Sequence, residues 1–341
     1  MYYTGLDIHE ATTQIQHMDQ EGALGITMNI KTNTKELRAF LDRLDAPSSM
    51  VFEASRHYWW ISQLLSSHPN VSAVKVVDPR RSRKIAEELS TLKGYGRAKN
   101  DRIDAEMLAE EDRRGLAPAI NLPTARQLET RTVSRQRFEL VHKKNIAASQ
   151  LQAYLSMHGC RLSTQKLLKE DLSQLNDFEE LPDYIQFVIH QCLAQIRLFS
   201  QQVEGCEEKL YELLPESDPQ MKILRSVPGI GIVISWIILS EIFSISFFAK
   251  PQSLVSYSGL APIENESDGK KGIIELNRHC NYFLKYAFVM AAHGARKHPK
   301  YRKKYEYDVK KHGKIRAKLN LARRIVKAVY WMLTRQQPFC Y

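Results

Sequence analysis

Hydrophobic and polar residues alternate in three successive stretches near the N-terminus, with the period of a β-strand. The predicted strands span residues 2–8, 12–18 and 23–30, and the Asp-Gln-Glu-Gly turn at 19–22 predicts an antiparallel meander. Helices and strands alternate after the meander. A helix capped by Thr34 is followed by a strand over 49–52, a helix through 59–64 and a strand over 71–77. Two helices, over 80–89 and 101–110, come last. The predicted order is therefore β-β-β-α-β-α-β-α with one further helix.

The middle of the chain, residues 124–214, has hydrophobic residues at helical spacings and no strand-like alternation. Gly159 and Cys160 interrupt the pattern, and Leu181 with Pro182 begins a second long stretch. We expect two long amphipathic helices joined by a hairpin. They fit an antiparallel coiled coil that mediates oligomerisation, and they fit equally well a helical bundle within one subunit.

The proline-containing segment 214–219 is typical of a linker. We therefore predict three regions in a fold of the class α/β plus all-α. They are an α/β domain over residues 1–122, a helical coiled-coil region over 123–214 and a mainly helical, basic domain over 215–341.

Positive charge is concentrated at one end of the chain. The net charge of the 341 residues is +11, but residues 281–341 alone carry +14 and the first 280 residues sum to −3. This asymmetry indicates a polyanionic partner such as nucleic acid, although a solubilising helical face would look the same. Aromatic residues among the charges favour nucleic acid, and Arg302, Lys303 and Lys304 are candidate contacts.

Four acidic residues occur where predicted elements begin or end. Asp7 ends the first strand, Glu53 follows the fourth, and Asp101 and Asp104 share one face at the start of a helix. The order of elements is that of an RNase H-like core, in which these acids would surround divalent cations. Carboxylates suit Mg²⁺ or Mn²⁺, and two such ions can stabilise both oxygens of a phosphoryl transfer. Any one of these acids alone is also typical of a solvated strand end or a helix cap.

Two neighbouring residues accompany the acids. His9 lies on the same strand face as Asp7, and we expect it to support a ligand rather than be one. Lys99, two residues before Asp101, is a candidate phosphate contact, although a surface charge explains it equally well.

Two glycine-containing segments of the basic region are further candidates. In Val227–Gly231, Gly229 and Gly231 are suited to a hairpin that presents backbone N–H groups to phosphates, or to a simple helix-helix turn. The loop after Pro262 contains Ser267, with Lys270 and Lys271 close behind. That serine is a candidate nucleophile, although most loop serines only cap or donate hydrogen bonds.

Together these features resemble the DEDD-type insertion-sequence transposases that use a catalytic serine and a bridge RNA, relatives of the Piv DNA invertase. The resemblance spans essentially the whole chain. It is carried by Gly-Leu-Asp7-Ile, Phe-Glu53-Ala-Ser, Lys99-Asn-Asp101-Arg-Ile-Asp104-Ala, Val-Pro228-Gly-Ile-Gly231, and Ser258-Gly-Leu-Ala-Pro262 followed by Ser267. It departs from the family pattern at Asp268, which precedes Gly269, and at Cys280, which replaces a glycine.

The resemblance implies a RuvC-like domain, a metal site and a mobile-element activity. The metal-binding catalytic acids would be Asp7, Glu53, Asp101 and Asp104, holding Mg²⁺ or Mn²⁺. Ser267 would attack DNA and form a 5′-phosphoserine link, with Ser256 and Ser258 as alternative nucleophiles. The partners would be donor and target DNA, a structured guide RNA and further copies of the chain in a dimer or tetramer.

Other classes of protein fit part of the pattern. A RuvC-like Holliday-junction nuclease would need only the acids, a Piv-type invertase would recombine without transposing, and a non-catalytic scaffold would need only the basic region. The five cysteines are odd in number and widely spaced, which argues against a disulfide framework or a zinc ribbon. Without a signal-peptide pattern or an apolar span, we expect a cytoplasmic, nucleoid-associated protein and no membrane partner.

Overall fold

The computed structural model describes residues 1–95, 100–169, 176–263, 266–267, 270–271, 275–276 and 280–340. For residues 176–177, 263, 266–267, 270–271 and 275–276 it describes the backbone alone. The chain forms two compact units, Met1–Leu122 and Pro123–Tyr341. The further division at residue 214 stays a prediction.

A mixed five-stranded sheet is the centre of the first unit. Its strands are β1 (Tyr2–Ile8), β2 (Thr12–Met18), β3 (Leu24–Lys31), β4 (Ser48–Glu53) and β5 (Val71–Val77), in the order β3-β2-β1-β4-β5. The first three strands pair antiparallel, whereas β4 runs parallel to both β1 and β5. The predicted meander and the RNase H-like arrangement are confirmed.

Helices cover both faces of this sheet. They are α1 (Thr34–Leu41), α2 (Tyr58–Ser66), α3 (Pro79–Leu92) and α4 (Asp101–Arg113). Because side chains alternate along a strand, Phe52 packs with α1 and α2 while its neighbour Val51 packs with Leu108 of α4. The predicted cap of α1 is wrong by one residue: the side chain of Asn33 accepts the Glu36 N–H, and Thr34 is the first helical residue.

The second unit begins with a long helical hairpin. Its helices are α5 (Ala125–Met157), α6 (Thr164–Lys169), α7 (Asn176–Glu179) and α8 (Asp183–Leu213). The hydrophobic faces of α5 and α8 meet through residues such as Leu151, Ile189 and Leu193, so the two long helices pack within one chain. The short helices α6 and α7 were not predicted, because each is too short to show a hydrophobic period.

Further helices and four very short strands complete the second unit. The elements are α9 (Pro219–Arg225), α10 (Ile232–Ile242), a 3-10 turn (Ile245–Phe247), α11 (Pro251–Tyr257), β6 (Pro262–Ile263), β7 (Glu266–Ser267), β8 (Lys270–Lys271), β9 (Glu275–Leu276), α12 (Tyr282–Ala295) and α13 (Pro299–Arg335). The main core lies between α10, α12 and α13 and contains Phe288 and Ile325. Helix α13 is interrupted at Gly313, whose φ is +80°.

The longest helices are rich in charged residues. Within the described ranges, no helix combines the length and the apolar character that crossing a membrane requires. The most apolar of the described helices, α10, is a core helix of only 11 residues.

Candidate active site

Asp7 and Glu53 are brought to the same edge of the sheet by strand pairing. In the parallel pair of β1 and β4, Leu6 lies opposite Phe52, and Asp7 and Glu53 each follow directly. Parallel strands end at the same edge, so the two acids leave the sheet side by side.

Helix α4 approaches β1 unusually closely, and Gly5 permits it. A Cβ atom at residue 5 would lie 1.9 Å from the Ala105 carbonyl oxygen and 2.8 Å from the Ala109 nitrogen. Since neither backbone atom can move away without displacing the helix, only glycine fits. This contact places the N-terminus of α4 above the end of β1.

The first turn of α4 carries two of the predicted acids. Asn100 is the N-cap, and its side chain accepts the Ile103 N–H. Asp101 and Asp104 therefore lie in the first helical turn without serving as the cap, where the helix dipole favours negative charge.

Asp7, His9 and Asp101 form a compact group of donor atoms. The His9 Nε2 atom lies 3.1 Å from Asp7 Oδ2 and 3.6 Å from Asp101 Oδ2. One ligand atom from each of the three residues lies within 4.8 Å of the others. A set of two carboxylates and one imidazole fits a divalent metal ion.

The electrostatics of the group also favour a cation. Burial raises the pKa of Asp7, the adjacent His9 lowers it, and the negative charges of Asp104 and Asp101 raise it again. The carboxylates thus repel one another, and a bound cation would relieve that repulsion.

Glu53 and Asp104 lie outside the tight group of three. The charge of Asp104 acts on Asp7, whereas that of Glu53 acts on Glu111, a buried glutamate of α4. Burial, with a smaller contribution from Glu53, raises the pKa of Glu111 to about 7, although Ser82 donates a hydrogen bond to its carboxylate. Lys99 lies outside the described residues.

The second half of α4 is a buried acidic face that was not predicted from the sequence. Four acids have at most 3% of their surface exposed: Glu106, Glu110, Glu111 and Asp112. Each has a partner on or near a neighbouring element, such as Lys93 at 2.9 Å from Glu106 and Ser49 at 2.6 Å from Asp112. Arg113 holds the pKa of Glu110 at about 2, with help from Arg114. This paired face fixes α4 and, through it, the acids of its first turn.

Ser267 lies in the second unit on a short antiparallel hairpin. The backbone of Ser267 in β7 is paired with that of Lys270 in β8, and Glu266 is paired with Lys271. This hairpin lies within the segment bounded by the β6–β9 pair, where the sequence had predicted only a loop. The side chains of these residues, and all of Asp268 and Gly269, lie outside what the structure describes.

The two alternative serines differ sharply in environment. Ser258 is fully buried and donates its hydroxyl to the Val255 carbonyl, so it is not available as a nucleophile. Ser256 is exposed on α11.

The glycines of the Val227–Gly231 turn have different roles. Gly229 has a φ of +89°, and a Cβ atom there would lie 2.2 Å from the Ala291 carbonyl oxygen, so this glycine is needed for packing against α12. Gly231 is the N-cap of α10 and has open space around it. Residues 225–231 and His298 line an open depression of about 440 Å³.

The basic region exposes further cations besides the three candidate contacts named from the sequence. Arg302, Lys303 and Lys304 are exposed, and so is the whole segment 310–316 around Gly313, which contributes Lys310, Lys311, Lys314 and Arg316. Among the interspersed aromatics, Tyr307 and Trp331 are about half exposed, whereas Tyr301 and Tyr330 belong to the core. These two tyrosines lie on the hydrophobic side of α13, so their place among the cations is explained by core packing.

The sheet order and the acids at the edge of β1 and β4 define an RNase H-like domain of the DEDD type, with a group suited to a divalent metal. Comparison with protein families agrees. Residues 4–159 match a DEDD family model described as "Transposase", and residues 221–306 match one described as "Transposase IS116/IS110/IS902 family".

Three curated proteins are similar to the chain. The transposase for insertion sequence element IS1111A of Coxiella burnetii (strain RSA 493 / Nine Mile phase I) is 22% identical over 71% of this chain and 68% of its own length. The transposase for insertion sequence element IS1328 of Yersinia enterocolitica is 23% identical over 57% of this chain and 58% of its own. The insertion element IS116 uncharacterized 44.8 kDa protein of Streptomyces clavuligerus is 27% identical over 44% and 37%.

The chain belongs to the IS110/IS116/IS902 family of transposases. It is thus a DNA-binding enzyme of strand transfer in the transposition of an insertion sequence.

Proposed function

We propose that this transposase cuts and rejoins DNA through a serine ester, with divalent ions bound by Asp7, Glu53, Asp101 and Asp104. The observation that carries the proposal is the convergence of β1, β4 and the first turn of α4 on one edge of the sheet. Bound Mg²⁺ or Mn²⁺ would supply charge stabilisation for a phosphorane-like transition state.

The nucleophile in this proposal is Ser267. Its oxygen attacks a DNA phosphorus, the Ser–O–P bond forms and the bond from phosphorus to the 3′ oxygen breaks. The serine loses its proton, and the departing 3′ oxygen gains one, so the step is balanced without an outside energy source. The resulting 5′-phosphoserine conserves the energy of the phosphodiester for rejoining. The backbone pairing with Lys270 supports this assignment, since β8 keeps two lysines close to the serine in sequence and in register.

Nucleic acid backbones are held, in this proposal, by the second unit. Exposed cations at residues 302–304 and 310–316 offer a surface for phosphates, and their contacts would be independent of base sequence. The depression at Gly231 adds the N–H groups of the first turn of α10, beside Arg225 and His298. Choice of donor and target would then be left to a structured guide RNA, which the family resemblance suggests.

Assembly into a dimer or tetramer is the last part of the proposal. Apolar side chains remain exposed on α8 along the face opposite its packing with α5: Tyr184 and Phe187 are about two-thirds exposed and Leu198 half exposed. They recur at spacings of three and eleven residues, which is one stripe of a helix. A second copy of the chain would cover this stripe, and the active site would combine the acids of one copy with the serine of another.

Covalent trapping tests the chemistry. The protein is incubated with Mg²⁺, RNA transcribed from the DNA flanking its gene and end-labelled donor or target DNA, and is then separated on a denaturing gel. We expect a labelled protein–DNA band with the unaltered protein and none with Ser267→Ala or Asp101→Asn. Ser256→Ala is the matched control, because this exposed serine lies in the same unit.

Other outcomes point to other mechanisms. Free cleaved DNA that persists in Ser267→Ala but disappears in Asp101→Asn would identify a metal-dependent junction nuclease and reject the serine. A band lost in Ser256→Ala alone would move the nucleophile to that residue. Recombination of inverted sites without insertion elsewhere would identify an invertase.

A further inference from the structure

We infer that His9 is a direct metal ligand through its Nε2 atom, so that the site binds Mn²⁺ and similar ions in preference to Mg²⁺. The inference rests on the metal site of the proposed function and adds a nitrogen donor to it. On sequence alone, His9 was expected only to support a ligand.

The distances in the group fit ligands of one ion. Ligands about 2.1 Å from an octahedral ion lie about 3.0 Å apart when adjacent, and somewhat farther apart in more open geometries. The His9 Nε2 atom lies 3.1 Å from Asp7 Oδ2 and 3.6 Å from Asp101 Oδ2. An ion can therefore sit between the three atoms with little rearrangement.

The backbone of His9 is held in place independently of its side chain. Its N–H donates to the Thr12 carbonyl at 2.9 Å, and its own carbonyl accepts the Thr32 hydroxyl at 3.0 Å. The imidazole leaves this fixed turn on the same strand face as Asp7, and about half of its side chain is exposed. It is thus positioned before metal arrives and accessible to it.

The donor atom determines which ion is preferred. Mg²⁺ strongly favours oxygen ligands, whereas imidazole nitrogen suits later divalent ions, and Mn²⁺ accepts both kinds of donor. A site of two carboxylates and one imidazole should therefore favour Mn²⁺ over Mg²⁺. Replacing the imidazole by an oxygen donor should reverse the preference.

Pulsed electron paramagnetic resonance with Mn²⁺ alone tests the ligand directly, and titration calorimetry with Mn²⁺ and with Mg²⁺ tests the preference. The full chain is used without a histidine tag. We expect ¹⁴N coupling of a coordinated imidazole in the unaltered protein and its loss in His9→Ala. The ratio of Mn²⁺ to Mg²⁺ affinity should fall about tenfold or more in His9→Ala, and further in His9→Asp.

His68→Ala is the matched control, because His68 also lies 3.1 Å from an aspartate, Asp42, in the same unit. It should retain both the coupling and the ratio. Mn²⁺ that binds without ¹⁴N coupling, yet is lost in Asp101→Asn, would overturn the inference and leave the proposed carboxylate site intact. No binding of Mn²⁺ or Mg²⁺ to the unaltered protein would reject the inference together with the metal part of the proposed function.

Discussion

Two adjacent buried glutamates of α4 have opposite electrostatic environments. Glu110 and Glu111 are adjacent and both fully buried, yet the pKa of the first is about 2 and that of the second about 7. The difference lies in the partners, since arginines surround Glu110 whereas Ser82 and the charge of Glu53 face Glu111. A buried carboxyl without a cationic partner binds its proton more tightly.

Glu111 should make the stability of the metal-free protein pH-dependent. Its pKa in the folded state, about 7, exceeds the ordinary value of 4.5, so its contribution is fully present below pH 4.5 and is lost as the pH rises through 7. Glu111→Gln should flatten this fall, which amounts to at most about 3 kcal/mol. Urea unfolding followed by tryptophan fluorescence at several pH values measures it. Glu87→Gln changes an exposed acid of α3 and should leave the dependence of the unfolding free energy on pH unchanged. If the two variants show the same dependence on pH, Glu111 is not its source.

At the scale of the elements, the position of α4 determines the geometry of the candidate site. The helix is fixed against the sheet by its contact with Gly5 and by the bonds of Asp112 to β4 and β5, and Glu111 connects it to α3. The position of the acids of its first turn therefore depends on residues outside the proposed metal site.

Gly5→Ala should displace α4 and weaken the metal site. The added methyl group would overlap the Ala105 carbonyl, so we expect a loss of roughly 1–3 kcal/mol in stability, as for other overpacked cores. Mn²⁺ affinity, measured by calorimetry on the folded variant, should fall as well. Gly205→Ala is the control, because the added methyl group meets open space on α8. Alanine is favoured over glycine inside a helix, so the stability of this variant should rise by about 0.5–1 kcal/mol. Unchanged metal affinity in folded Gly5→Ala would show that α4 does not position the acids.

These elements also show how far the sequence could predict the protein. Strands β1, β2 and β5 have the predicted bounds, because alternation in the first two and the run of valines in the third are typical of strands. Asp7, Glu53, Asp101 and Asp104 were predicted to form one metal site, which stays a prediction. Of these acids, Asp101 and Asp104 are close enough for their charges to raise the pKa of Asp7. The buried acids of α4 were not predicted, because an acidic helix normally faces solvent. Their partners Lys75, Ser82 and Lys93 lie on other elements, and only the folded chain brings them together.

At the scale of the whole molecule, charge and apolar surface are placed on different parts of the second unit. The cations are concentrated along α13, where Gly313 interrupts the helix, and the exposed apolar stripe runs along α8. Substitutions on α13 should therefore weaken DNA binding without affecting assembly, and substitutions on α8 should do the reverse.

The lysines around Gly313 should contribute to DNA affinity without affecting its sequence preference. Replacing Lys310, Lys311 and Lys314 by alanine should weaken binding and reduce the slope of log affinity against log salt by about one for each phosphate that is no longer neutralised. Fluorescence anisotropy with duplexes of different sequence measures both quantities. Alanine at three exposed lysines elsewhere, Lys35, Lys84 and Lys143, should have a smaller effect. Equal losses in the two triple variants would indicate a general effect of charge.

Charge introduced into the apolar stripe of α8 should dissociate the assembly. Phe187→Glu with Leu198→Glu places two carboxylates on the face that a second copy would cover, at positions whose exposure in one chain tolerates them. Light scattering coupled to gel filtration should report a smaller mass than for the unaltered protein. Gln63→Glu with Ser66→Glu, exposed on α2, provides the same added charge and should not change the mass. An unaltered protein that is already monomeric would exclude the stripe as an interface.

The close approach of α4 to Gly5 has a further consequence for the fate of the gene. Every missense change in a glycine codon adds at least a Cβ atom, so any such change at codon 5 should destabilise the protein and weaken its metal site while leaving all five proposed catalytic residues intact. Genome annotation based only on the four acids and the serine would classify that copy as functional. Codon 5 therefore offers an independent marker for separating live copies of such an insertion sequence from decaying ones.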